Sequence, residues 1–341
     1  MKPTVAAMLC ESGTEKDLDN PLMAASLKFD GTRAWLGKSE GKGFVINRKN
    51  VDYTDRLPEI IEVIEAMPVE DFTIDGELVY YDENGRSLFE GSQRRCSTQD
   101  MNKQREYRVK YPLVFETWDI ISLDGKDQRG MTWKSRDYLL SELLRETKQN
   151  TIRYVENTYD EAKRKLYEKV TEQGEEGVIL KNMNSTYVGK RSSAWLKVKK
   201  MYSERCKIVG YTEGTGSRAD YFGSLILARP DDQGILRYCG KVGSGFSAAE
   251  VRHMYEVLQT STSDEPQVDV RDGSGKPIDY TPVTIVTEIT VRFYETSKNG
   301  VFRFPSILKD RQGNNMIHWY DSQIKGTPKV MDLKSLLEGL K

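Results

Sequence analysis

Apolar residues fall in short runs along the chain, and their spacing alternates between the two-residue period of strands and the helical period. Leu22, Met23, Ala24, Ala25 and Leu27 predict a strand that leads Lys28 out of an apolar run. Arg33-Ala34-Trp35-Leu36-Gly37, the turn Gly41-Lys42-Gly43 and Phe44-Val45-Ile46-Asn47-Arg48 predict a hairpin. Leu57 to Met67 has helical spacing with an early proline and predicts a helix. Phe72 to Tyr81 predicts a strand in which Asp75 and Glu77, two apart, share a face. Residues 83–110 are polar and arginine-rich and predict a long loop or irregular helix on the surface. Leu113 to Leu123 predicts a strand ended by Asp124-Gly125, and Ser135 to Lys148 and Tyr159 to Gln173 predict helices. Gly177 to Lys181 and Ala194 to Lys200 predict strands, with Lys197 and Lys199 on one face of the second.

Near Lys200–Glu204 the pattern changes to short strands with glycine turns: Cys206–Tyr211, Gly223–Arg229, Ile235–Val242 and Thr284–Phe293. With one helix at Ala248–Leu258, they predict a small β-barrel of OB type. The fold class is therefore α+β. A domain of antiparallel sheets and helices over residues 1–203, in which residues 1–21 form an arm or short cover, precedes a β-barrel over 204–325. A tail follows over 326–341, where a short amphipathic helix fits. Residues 259–280, polar and acidic, predict a mobile insertion.

Composition narrows the chemistry. The 341 residues are 30% charged and 38% hydrophobic, as in a soluble protein, and suffice for two domains. No run of eighteen apolar residues predicts a membrane span, and Met1-Lys2-Pro3-Thr4 lacks the apolar core of a signal peptide, so the expectation is a cytoplasmic protein. Cys10, Cys96, Cys206 and Cys239 form no CxxC pair, which suggests neither a zinc site nor a disulfide framework. Only two histidines are present, so lysine and carboxylate must carry any reaction. The net charge of −1 does not announce a nucleic-acid binder, but residues 181–207 hold eight Lys or Arg against one acid. There Lys197 and Lys199 alternate with Leu196 and Val198, as in a strand at the wall of an anion site.

The densest chemistry lies in Lys28-Phe29-Asp30-Gly31-Thr32-Arg33. A free lysine titrates near ~10.4, so a nucleophilic amine needs desolvation or nearby positive charge. Alone the motif also fits a surface turn, since Asp-Gly is a common hairpin tip. Asp75 and Glu77 read either as the solvated face of an edge strand or as carboxylates held in a cleft for a metal or a hydroxyl.

Taken together, these segments resemble the ATP-dependent DNA ligases of the covalent nucleotidyltransferase superfamily over roughly Leu22 to Arg311. The matching stretches are Lys28 to Arg33, Asn47-Arg48, Asp75-Gly76-Glu77, Trp118-Asp119 with Leu123-Asp124-Gly125, Glu176 to Lys181, and Trp195 to Lys199. In the second domain they are Gly210 to Arg218, Phe222 to Leu225, Lys241 to Phe246, and Arg303-Phe304-Pro305 leading to Arg311. The resemblance implies that the Lys28 amine attacks the α-phosphorus of ATP, with Mg²⁺ present and Mn²⁺ able to substitute. AMP then passes to the 5′-phosphate of nicked double-stranded DNA, and the 3′-hydroxyl displaces it. It assigns Lys197 and Lys199 to the α-phosphate, Arg48 to a phosphate, and Leu27 and Lys181 to the nucleotide pocket. Trp118 takes the adenine-stacking place, with Phe115 as a second candidate. Glu176 is assigned to the metal, Glu77 to the ribose or the metal, Arg311 to the pyrophosphate, and Asp30 and Arg33 to the nick. Arg94, Arg95, Lys190 and Arg191 are candidates for duplex phosphates. The sequence departs from the family at Ser26, where a carboxylate is common, and at Gln312-Gly313-Asn314, where an acid and a lysine usually follow the arginine.

With 27 residues before Lys28, the expectation is a compact two-domain, bacteriophage or prokaryotic type, working as a monomer without membrane contact. An NAD-dependent ligase would need an extra domain before the lysine and a cysteine-rich zinc module. A GTP-dependent mRNA capping enzyme or an RNA ligase shares the first motif, and a non-catalytic nick-binding protein is the non-enzymatic alternative.

Overall fold

Alternation of side chains along paired strands sets the architecture. The protein is represented by a computed structural model, which describes residues 6–145, 150–272, 275–284, 287–297, 299–310 and 312–319. The chain divides into two compact units, one ending at Lys200 and the other beginning at Met201.

The elements of the first unit are, in order, β1 (Leu9–Ser12), β2 (Met23–Leu27), β3 (Thr32–Ser39), β4 (Lys42–Asn47), α1 (Pro58–Ala66), β5 (Phe72–Tyr80), α2 (Phe89–Ser97), α3 (Met101–Lys110), β6 (Leu113–Leu123), β7 (Lys126–Asp127), α4 (Trp133–Arg145), β8 (Ile152–Tyr154), α5 (Ala162–Glu172), β9 (Gly177–Asn182) and β10 (Arg191–Lys199). A four-stranded sheet runs β1-β10-β9-β2, and a six-stranded one runs β4-β3-β5-β6-β7 with β8 beside β6. Residues 9–12 of the expected arm are thus a strand of the first sheet.

In that sheet Ser26 pairs with Ile179, and Trp195 and Lys197 pair with Lys181 and Ile179. Directly paired residues share a face, so Ser26, Ile179, Lys181, Trp195 and Lys197 look one way. Met23, Ala25, Val178, Leu180 and Val198 look the other way and form a core with Tyr167 and Val170 of α5. In the larger sheet Ala34, Leu36, Ile74, Leu78 and Phe115 build a core with Ile60 and Ile64 of α1 and Leu140 and Leu144 of α4. A third cluster, Met8, Ala24, Trp35, Ile121, Trp133, Tyr187 and Trp195, joins side chains of both sheets.

Residues 83–110, expected as loop or irregular helix, hold two regular helices, α2 and α3. Asp100 caps α3, accepting from the Asn102 and Lys103 amides. The helix buries none of its residues, so no apolar periodicity betrayed it. The strand carrying Asp75 is not an edge strand, since β5 lies between β3 and β6.

The second unit contains β11 (Tyr202–Glu213), β12 (Phe222–Pro230), β13 (Leu236–Val242), α6 (Ala248–Gln259), β14 (Thr281–Pro282), β15 (Thr287–Phe293), β16 (Glu295–Thr296), β17 (Phe302–Arg303), β18 (Ser306–Ile307) and β19 (Ile317–Trp319). Its sheet runs β13-β12-β11-β15-β18, with β14 beside β11 and β19 beside β15. Val251, Met254 and Leu258 of α6 enter the core of this sheet. The expected barrel is corrected to an open sheet among the described residues, because β13 and β18 remain unpaired with each other and β18 is too short to offer a long ladder. The stretch expected as a mobile insertion is anchored. Val268 and Val270 are buried with Val209, Ile226 and Ala228, and the Tyr280 hydroxyl donates to the Val268 carbonyl at 2.8 Å. Arg311 and the tail 326–341 lie outside the described residues. No described helix is long and apolar enough to cross a membrane.

Asp119 and Arg136 form a fully buried ion pair, Nε to Oδ1 at 2.7 Å and Nη2 to Oδ2 at 2.9 Å. Removing one partner of such a pair leaves a buried charge uncompensated. Asp119→Ala should therefore cost the first unit about 3–5 kcal/mol. Urea unfolding followed by tryptophan emission reads this, since Trp35, Trp118, Trp133 and Trp195 all lie in that unit.

Candidate active site

Lys28 leaves the end of β2 with its backbone amide donating to the Gly177 carbonyl at 2.9 Å. Gly177 has φ +136, and a Cβ there would fall 2.1 Å from the Val198 carbonyl oxygen, so only glycine lets β9 begin here. Gly31 serves a similar close approach, since a Cβ would come within 2.7 Å of the Glu77 side chain.

The Lys28 ammonium pairs with one oxygen of Glu176, and the Lys199 ammonium pairs with the other. Burial would lower the Lys28 pKa, but Glu176 together with Glu77 and Asp30 outweighs it and holds the amine above the ordinary lysine value. Burial would likewise raise Glu176, and the two ammonium groups hold it below the usual carboxylate range instead. Lys197, one strand residue pair away from Lys199, is pushed down by burial and by Lys199 and Arg191 beside it. Cations crowded in this way are relieved by an anion. Glu77 shifts the other way: burial pushes it up to about 7, against Lys28 and Arg33.

Of these groups Lys28, Lys197 and Glu77 line a cavity of about 240 Å³, together with Ser26, Leu27, Arg48, Trp118, Lys181 and Arg191, while Lys199 and Glu176 lie outside its lining and meet it through Lys28. Arg33 also lines it, but its guanidinium is engaged. It holds Asp75 through Nε (3.0 Å) and Nη2 (2.6 Å) and donates to the Met8 carbonyl at 2.7 Å, while the Tyr187 hydroxyl donates to Asp75 at 2.8 Å. Asp75 is thus spent on Arg33 and Tyr187. Phe115 is fully buried in the core of the larger sheet, so of the two stacking candidates only Trp118 reaches the cavity, where Phe29 and Trp195 also line the wall.

Lys181 sits at the floor among three indoles, 5.5 Å from the Trp118 centroid, 5.6 Å from Trp133 and 5.2 Å from Trp195. Burial pushes its pKa down to about 8.

The four candidates for duplex phosphates separate. Arg94 is exposed and pairs with Glu90 at 2.7 Å, and Lys190 is exposed. Arg191 lines the cavity and donates to the Cys10 carbonyl. Arg95 is corrected to an interior residue, 1% exposed, donating to the Arg56 carbonyl at 2.6 Å and to Glu59 at 2.8 Å; it has no surface to offer a duplex. Asp30 accepts from the Phe89 amide at 3.4 Å, at the start of α2.

Sequence reasoning missed Trp195, Tyr187 and Cys10 at this site. Trp195 could have been found, because it alternates in register with Lys197 and Lys199. Tyr187 and Cys10 carry no local signal. Among the described residues no three His, Cys, Asp or Glu side chains group as a metal shell. Glu176, Glu77 and Asp30 are the carboxylates that act on the charge of Lys28.

The Lys181 shift has a thermodynamic consequence. Its folded pKa lies below the unfolded value of ~10.4, so between about 8 and ~10.4 the unfolded chain binds more protons and stability rises with pH. Below about 8 the burial penalty is fully present. Lys181→Met should therefore raise the Tm at pH 7, and the gain over the wild-type chain should shrink when both are melted at pH 10.

Comparison with known proteins agrees with this geometry. Residues 7–199 match the family model described as ATP dependent DNA ligase domain, and residues 218–313 match ATP dependent DNA ligase C terminal region. The multifunctional non-homologous end joining protein LigD of Pseudomonas aeruginosa is 34% identical over 69% of this chain, which spans 27% of that protein. DNA ligase 1 of Methanosarcina acetivorans is 29% identical over 93% of this chain, which spans 58% of it. A mycobacterial DNA ligase D solved with ATP and MES superposes with a TM-score of 0.51 at 27% identity, over 89% of this chain and 93% of that one. The open sheet of the second unit and the two-sheet first unit are accordingly an OB fold and a nucleotidyltransferase fold, and the chain belongs to the ATP-dependent DNA ligase family.

Proposed function

We propose that this chain is an ATP-dependent DNA ligase that seals 5′-phosphate/3′-hydroxyl nicks in duplex DNA through a lysyl-AMP intermediate on Lys28. The observation that carries this reading is that Lys28 lines a cavity together with Lys197 and Arg191, with Lys199 bound to the same carboxylate as Lys28.

The Lys28 nitrogen attacks the α-phosphorus of ATP. An N–P bond forms, the P–O bond to pyrophosphate breaks, and the amine gives up a proton. Lys197 and Lys199 hold the α-phosphate and Arg48 another phosphate, which offsets the charge that grows on the oxygens. Trp118 offers its ring face to the adenine, with Leu27 and Lys181 completing the pocket. Glu77 meets the ribose or the cation. A 5′-phosphate oxygen of the nick then displaces Lys28 from AMP, and the 3′-hydroxyl finally displaces AMP.

Magnesium suits the donor set, since that ion typically takes one or two carboxylates and completes its shell with waters and substrate phosphates. Glu176 would hold it, with Glu77 as second candidate, and Mn²⁺ would serve in its place. When bound it supplies positive charge to the phosphates. The residues of the chain orient the amine and exclude water.

Incubation with ATP labelled at the α-phosphate, followed by a chase with nicked duplex, tests the reading. Label that enters the protein and then moves to the 5′-phosphate before the strand is sealed is the expected result. Label from GTP and not from ATP would move the assignment to a capping-type enzyme, and label from neither, on protein free of bound nucleotide, would leave a nick-binding protein. Lys28→Ala should take no label while still binding nicked duplex. Lys199→Ala should slow labelling by roughly 100-fold, the loss of about 3 kcal/mol of electrostatic stabilisation.

A further inference from the structure

After β5 the chain reverses through Asp82-Glu83-Asn84-Gly85-Arg86. The Asp82 side chain accepts from the Asn84 and Arg86 amides at 2.9 Å, and Gly85 takes φ +75. The turn returns Ser87 to pair with Tyr81. Ser87 is 5% exposed, and its contacts link two segments distant in sequence. Its hydroxyl accepts from the Asp30 amide at 3.1 Å and donates to Glu175 Oε2 at 2.7 Å, while its amide donates to Glu175 Oε1 at 3.0 Å.

Ser87 thus ties the loop that carries Lys28 to the segment that carries Glu176. The two segments already meet at the Lys28 amide with the Gly177 carbonyl and at the Lys28 ammonium with Glu176. A link through Ser87 fixes the loop two residues beyond the nucleophile and the chain one residue before the carboxylate. It also takes up both oxygens of Glu175. Two adjacent carboxylates flank the site, and with Glu175 engaged, Glu176 is the one that faces Lys28 and Lys199.

We propose that Ser87 is a positioning residue for nucleotidyl transfer, acting through Asp30 and Glu175 to set the mutual orientation of the Lys28 amine and the Glu176 carboxylate. This rests on the reading of Lys28 as the nucleophile. Ser87 is not among the residues that line the nucleotide cavity, so its loss should change how the amine is aimed and not how tightly the nucleotide is held. Misplacement of a reacting group by about 1 Å costs on the order of 100-fold in rate.

Single-turnover labelling with α-labelled ATP, at a series of ATP concentrations, tests the proposal on wild type, Ser87→Ala, Ser87→Thr and Glu175→Gln, with melting temperatures measured alongside. In Ser87→Ala the maximal labelling rate should fall roughly 10- to 100-fold with the half-saturating ATP concentration unchanged. Ser87→Thr, which keeps the hydroxyl, should recover most of the rate, and Glu175→Gln should be slowed in maximal rate also. Wild-type labelling by Ser87→Ala would overturn the proposal. So would a loss that appears in the half-saturating concentration, or a Ser87→Thr chain that melts like wild type yet is as slow as Ser87→Ala. If Ser87→Ala does not fold, the maximal rate of Glu175→Gln decides, and a wild-type rate there would overturn the link. A wild-type chain that takes no label would instead overturn the ligase reading and this proposal with it.

Discussion

One carboxylate sits between two ammonium groups, and the chemistry of the first unit is organised around that contact. Glu176 is shared by Lys28 and Lys199. With Glu77 and Asp30 it holds the Lys28 pKa above the ordinary lysine value, against burial that pulls it down. On the proposed mechanism, an anion that engages Lys199 and Lys197, or a cation that engages Glu176, would weaken the hold on Lys28 and move the amine toward its nucleophilic form. On that reading binding and activation are coupled through these four charges.

That contact exists because side chains alternate between the two faces of the four-stranded sheet. β2, β9 and β10 place Ser26, Ile179, Lys181, Trp195 and Lys197 on the cavity side and an aliphatic set against α5 on the other. A register slip of one residue in β10 would send Lys197 into that aliphatic core and Val198 into the cavity. Buried aliphatic packing on one face thus fixes the position of charge on the opposite face. Arg33 with Asp75, and Arg136 with Asp119, brace the same region from within.

Much of this was legible in the sequence where a residue's role depends on its near neighbours. The alternation of Lys197 and Lys199 with Leu196 and Val198 located the cationic wall, and the apolar run before Lys28 located its strand. What was not legible depends on distant partners. Arg94 and Arg95 are chemically alike and adjacent, but α2 turns one to solvent and packs the other against Glu59 and the Arg56 carbonyl. Residues 83–110 read as a loop or irregular helix and not as two regular helices, because α3 buries nothing and α2 buries only small or polar residues and a cysteine, leaving no apolar periodicity to see. Ser87 meets partners 57 and 88 residues away, and a serine after an Asn-Gly turn looks like any other turn residue. In the second unit the strand periods and glycine turns announced the OB fold, but not that the sheet stays open among the described residues, since closure depends on pairing between strand ends.

On the proposed mechanism, the lysine bridged to Lys199 through Glu176 is the one that takes the nucleotide. The most direct test is to incubate the wild-type chain with ATP and a divalent cation, digest it, and locate the added AMP mass by peptide mass spectrometry. The account predicts the adduct on Lys28, with the amine bond labile to acid as a phosphoramidate is. An adduct on Lys181, Lys197 or Lys199, or on no lysine while ATP is consumed and nicks are sealed, would contradict it.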